Sequence, residues 1–218
     1  MRKIRFQNYY YYHIFNRGVD GRIIFMNEND YFNFLLRLSS LNTNLSFEER
    51  KGQKKELSSF SMDSFEFVEI VTYCLMPNHY HLLLRQKVDN GVSHFMHKIG
   101  TGYTNGLNKK YKRSGSLFQG SFKAVEIKTD AQLQYVSAYI NGNPEIHGIK
   151  KAEEWVYSSC RDYLGKRNGV LAKKDIILKD FEDNNDYKKY MDEVIKNSKE
   201  IKDIKKDIKD NMEKYLME

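Results

Sequence analysis

Proline, cysteine and tryptophan are scarce in this chain: two Pro, two Cys and one Trp among 218 residues. Cys74 and Cys160 are too few for a four-cysteine zinc site or a disulfide framework, so a reducing compartment is expected. No run of about 18 apolar residues occurs, which excludes a transmembrane helix. The start, MRKIRFQNYYYYHIF, has neither the apolar core nor the cleavage site of a signal peptide. Disorder is excluded too: charged residues are 30% of the chain, but aromatics reach 14%, with 16 Tyr and 13 Phe. The length suits one folded domain with an appendage.

The net charge of +7 is unevenly placed. From Lys98 to Lys128, seven basic residues face Glu126 alone, whereas Lys179 to Glu218 is slightly acidic. The basic stretch interleaves Tyr103, Tyr111, Phe118 and Phe122, a pattern that suits a polyanion with stackable bases and equally a solvated basic loop.

Periodicity predicts a strand over Asn8–Arg17, a helix over Tyr31–Leu41 capped by Asn29-Asp30, and a long polar connection over Asn42–Ser64. Strands over Phe65–Leu75 and His79–Gln86 form a hairpin about Met76-Pro77-Asn78. A helix follows over Val92–Tyr111, a short strand over Gly120–Ile127, and a helix from Thr129 or Asp130 to about Asn141, stopped by Asn143-Pro144. This β-α-β-β-α-β-α order predicts an α+β, ferredoxin-like (RRM-like) antiparallel sheet with helices on one face. Beyond residue 165 the chain becomes a charged extension, 166–218. Ile201, Ile204, Ile208 and Met212 mark an amphipathic helix there, for the domain or for a partner.

His79 and His81 are two apart on a strand and therefore share a face, where neutral imidazoles can hold a divalent cation. Short His-x-His pairs are also common without any such role. Tyr139 and Asn143 lie one helical turn apart. A tyrosine hydroxyl is a competent nucleophile once helped to ionise, and an amide oxygen suits a hard cation. Tyr135 and Tyr139, at the same spacing, equally describe a core stripe.

The order and spacing of LMPNHYHLLL, SGSLFQGSFK and YINGNP, with YHIFNRG before them and WVYSSCRDYLG after, resemble the REP-associated tyrosine transposases. These are single-tyrosine, His-hydrophobic-His enzymes acting on single-stranded DNA. The resemblance spans about Tyr11 to Gly165 and implies a catalytic domain over residues 1–165. It implies Tyr139 as nucleophile, forming a covalent 5′-phosphotyrosine, and His79, His81 and Asn143 as ligands of Mg2+ or Mn2+. It implies DNA contacts from Arg17, Lys109, Lys110, Lys112, Arg113, Gln119 and Lys123. Phe118 either stacks an unpaired base or packs in the core. The implied partner is single-stranded or hairpin DNA, without a membrane, in the cytoplasm with the nucleoid. Monomer and homodimer are equally compatible. Gly120-Ser121-Phe122-Lys123 departs from the family, which often has arginine at the second of these positions. The competing reading is an RRM-like module that binds single strands without chemistry; it does not require the histidines, Tyr139 and Asn143 to converge.

Overall fold

A computed structural model describes residues 4–43 and 65–215. The Asn42–Ser64 connection lies outside the described residues from 44 onward. Four strands, β1 (Tyr11–Arg17), β2 (Val68–Met76), β3 (His79–Gln86) and β4 (Lys123–Ile127), form one antiparallel sheet in the order β2-β3-β1-β4. This is the ferredoxin-like arrangement expected from the order of elements.

α1 (Glu28–Ser40) and α2 (Gly91–Lys110), the helices within the βαββαβ unit, share one face of the sheet. Their aromatic side chains meet the strand residues that point that way: the Phe34 ring is 5.2 Å from Tyr80 and 4.9 Å from Tyr103. The helix after β4, α3 (Asp130–Ile146), departs from the one-face expectation and crosses the opposite face, where Tyr139 approaches His81. The signal for a covered second face is in β2 itself. VEIVTYCLM is apolar almost throughout, as a strand buried on both faces must be.

Of the predicted boundaries that move, two matter most. α1 is capped by Asn27, whose side chain accepts the Asp30 N–H, and not by Asn29-Asp30. Asp30 is instead 2% exposed and takes an ion pair from Lys110 at 2.6 Å. α3 runs through Pro144 to Ile146 instead of stopping at Asn143. Proline at this point removes one late backbone bond, while Pro144 and Ile146 are buried and the Asn143 carbonyl still accepts from His147 N–H at 3.0 Å. The consequence is functional, because Tyr139 and Asn143 stay on one continuous helix.

After two short helices, α4 (Cys160–Tyr163) and α5 (Asp175–Leu178), the long α6 (Asn184–Tyr215) lays Tyr187, Met191, Val194 and Ile195 against α3. Its first half thus shares the core, whereas Ile201 and Ile204 are exposed and the side chains of Ile208 and Met212 lie outside the described residues. A buried polar chain ties these layers together. Thr72 on β2 bonds Ser137 (3.1 Å) and Tyr163 (2.9 Å), while the Tyr187 hydroxyl meets Ser137 (3.1 Å) and accepts from Asn141 (2.9 Å). Such a satisfied network sets the register of α3 against the sheet.

α3 and α6 approach each other tightly at Gly142, where an added Cβ would sit 2.5 Å from Ile195 Cγ1. Gly142→Ala is therefore expected to destabilise the fold by about 1–3 kcal/mol, although alanine is the better helix former. Urea unfolding checks this; Ile195→Ala in the same chain should recover part of the loss.

Candidate active site

The face covered by α3 carries the site. Strand pairing places Arg17 opposite His79 and Phe15 opposite His81, with Lys123 beside Phe15 on β4. All five side chains therefore point to one side of the sheet. Two consecutive turns of α3 bring Tyr139 and Asn143 over them, and a cavity of about 440 Å³ opens between. Arg17, Gln119 and Lys123 line it with His79, His81 and Tyr139.

The loop before β4 is zipped onto the end of β1, which brings Gln119 and Lys123 to the cavity. Val19 N–H donates to Leu117 O at 3.0 Å, Gln119 N–H to Arg17 O at 2.8 Å, and the Asn16 amide to Gly120 O at 3.1 Å.

The two histidine rings stand 5.0 Å apart and perpendicular. His79 Nδ1 is 2.6 Å from Asn78 Oδ1, and His79 Nε2 is 3.4 Å from Asn143 Oδ1. The Asn78 oxygen can only accept, so the His79 proton sits on Nδ1 and Nε2 carries a lone pair. That lone pair faces a second acceptor, the Asn143 oxygen, in a place where Asn143 is fully buried. The Asn143 Nδ2 atom has no partner. Two facing lone pairs are what a cation would relieve.

Electrostatics agrees with a ligand role. Burial pushes His79 down to about 4, with His147 and Arg17 working the same way and the Asn143 oxygen, which would accept from a protonated ring, opposing. Burial, then the neighbouring His13, His79 and His147, hold His81 well below its ordinary value. Both rings are therefore neutral donors at neutral pH. Among the described residues no group of three or more His, Cys, Asp or Glu is arranged to hold a metal. A cation here would depend on the Asn143 oxygen as its third protein donor.

Tyr139 is half-buried, its ring 6.0 Å from His81. Burial raises its hydroxyl above the ordinary value, and the neighbouring Asn143 amide works against that rise. A phenol so placed needs a nearby positive charge to become a nucleophile.

The other expected contacts divide. Arg17, Gln119 and Lys123 are exposed at the cavity. Lys109, Lys110, Lys112 and Arg113, at the end of α2, do not line it. Lys110 is engaged by Asp30, and Arg113 donates to Asn108 Oδ1 at 3.0 Å. Phe118 is 7% exposed and packs 5.7 Å from Tyr80, the arrangement of a core aromatic.

Three residues not singled out from the sequence also belong here. Asn78 orients His79; His13 Nε2 lies 2.9 Å from His81 Nδ1; the His147 ring is 5.7 Å from His79. Four of the six histidines thus converge, and the spacing Tyr139-Asn143-His147 is a signal that could have found the last of them.

Residues 44–143 match the family model described as transposase, IS200-like. None of the curated proteins matches the sequence. Among solved structures, the chain is similar to one described as a REP-associated tyrosine transposase bound to a REP hairpin, at 11% identity and a TM-score of 0.53. The similarity covers 79% of this chain and 96% of that one, and shows the shared fold. The resemblance carried by the motifs holds over the matched stretch, and among the described residues no helix is long and apolar enough to cross a membrane.

Proposed function

We propose that this protein is a transposase-like enzyme that cleaves and rejoins single-stranded, hairpin-forming DNA through a tyrosine nucleophile, with a divalent cation as cofactor. The observation that carries this reading is the meeting of His79 Nε2 and Asn143 Oδ1 at 3.4 Å beside His81 and Tyr139. A module that only binds strands has no use for that convergence. The IS200-like match, and the REP hairpin bound by the structurally similar transposase, support the substrate class.

His79, His81 and Asn143 would hold Mg2+ or Mn2+, which supplies charge neutralisation at a phosphate oxygen when bound. The Tyr139 oxygen attacks the scissile phosphorus. A P–O bond to tyrosine forms and the bond to the 3′ oxygen breaks. The phenolic proton is lost and the departing 3′ oxygen takes one up, so a 5′-phosphotyrosine and a free 3′-OH result. Rejoining is the reverse, with a 3′-OH as attacker, and needs no external energy source. Arg17 and Lys123, exposed at the mouth, would hold flanking phosphates, and Gln119 would hydrogen-bond the strand.

The test incubates the full chain with 5′- and 3′-labelled single-stranded hairpins and Mg2+ or Mn2+, followed by a denaturing gel. The expected result is label retained on the protein with one polarity only, and its disappearance when EDTA removes the cation. Cleavage with no retained label would overturn the tyrosine mechanism in favour of attack by water.

A further inference from the structure

Each histidine of the pair is held from behind, and by its Nδ1 atom. For His79 the partner is the Asn78 oxygen at 2.6 Å. For His81 it is another imidazole, His13 Nε2, at 2.9 Å. His13 belongs to β1. The register pairs it with Leu83 and pairs Phe15 with His81, so His13 lies diagonally across from His81 on the same face. The two rings are 5.1 Å apart and only 30° from parallel, which aligns the two nitrogens edge to edge.

One proton must occupy that contact, and its side decides what His81 can do. With the proton on His13 Nε2, His81 accepts at Nδ1, carries its own proton on Nε2, and has no lone pair left for a cation. With the proton on His81 Nδ1, His13 is the acceptor and His81 Nε2 is free. His79 already adopts the second pattern, because the Asn78 oxygen leaves no alternative. We propose that His13 is a positioning residue: it accepts the Nδ1–H of His81 and so locks the ring in the tautomer that presents Nε2 to the cation. The inference rests on the cation-centre reading above. It adds a residue that never reaches the cation but determines the state of one that does.

The test compares the full-length wild type with His13→Phe, which keeps a planar ring without nitrogen, and His13→Gln, which restores an acceptor. Long-range proton–nitrogen spectra of the metal-free protein read the His81 tautomer, and backbone amide spectra verify the fold. Calorimetric titration with Mn2+ alone reads affinity. The expected result is a pure Nδ1–H tautomer in the wild type, a mixture in His13→Phe with affinity weakened about 10- to 100-fold, and return of both in His13→Gln. An Nε2–H tautomer in the wild type, or an unchanged affinity in a folded His13→Phe protein, would overturn the role of His13. No uptake of Mn2+ by the wild type overturns the cation centre itself, and the tautomer spectra report on His13 separately from that failure.

Discussion

Tyr139→Phe should lose the covalent adduct and lower strand cleavage by at least about 10³-fold, while leaving hairpin affinity nearly unchanged. The substitution removes one oxygen from a half-buried ring and keeps its packing against His81 and His13. Arg17 and Lys123, which supply charge at the cavity mouth, are untouched. The hydroxyl lost neighbours the Asn143 amide, so a stability change of only about 1 kcal/mol is expected. Adduct on a denaturing gel, affinity from a filter or anisotropy titration, and a thermal melt separate the three effects. Persistence of the adduct would redirect the assignment to Tyr135. That residue sits one turn earlier on α3, is 41% exposed, and stacks its ring nearly parallel to Tyr139 at 6.4 Å.

In the sequence, the family resemblance and not the spacing separates Tyr139 from Tyr135; what the spacing supplies is a shared face. An i, i+4 pair on a helix and an i, i+2 pair on a strand each fix a shared face through the backbone repeat alone. His79 with His81, and Tyr139 with Asn143, are pairs of that kind, and the antiparallel sheet follows from the order of elements by the same local patterns. What local pattern could not supply is the pairing of distant pieces. His13 meets His81, 68 positions further along the chain, only because β1 and β3 adopt one register. Pro144 reads as a helix stop until the burial around it is known. Lys110 reads as a DNA contact and Phe118 as either a stacking or a core ring from a basic, aromatic stretch; only the distant Asp30 and Tyr80 show that Lys110 is ion-paired and Phe118 packs in the core. The segment between Trp155 and α6 carries little periodic signal, because its structure is held largely by side-chain clips.

The strongest of those clips yields the largest expected stability effect. Asp162 is 1% exposed and receives a two-pronged ion pair from Arg167, Nε to Oδ1 at 2.8 Å and Nη2 to Oδ2 at 2.7 Å, together with the Gly169 N–H at 2.9 Å. The same guanidinium donates to Val156 O, Ser158 O and the Tyr73 hydroxyl. It therefore fastens residues 156–169 to β2. From that segment the Ser159 hydroxyl reaches the Asn141 oxygen of α3 at 2.8 Å, two residues from Asn143. Arg167→Met would leave a buried carboxylate with one N–H in place of three, and would take a donor from two carbonyls and the Tyr73 hydroxyl. The expected cost is about 3–5 kcal/mol, read as a lower urea midpoint at unchanged slope. Asp162→Asn in the Arg167→Met chain removes the stranded charge and should recover part of the loss, giving a coupling that a double-mutant cycle measures. Cation affinity of the fraction that remains folded should stay near that of the wild type, because Arg167 touches neither His79 nor Asn143. A loss below about 1 kcal/mol would mean that water reaches Asp162 and that α3 is supported by the Thr72–Ser137–Tyr187 chain alone.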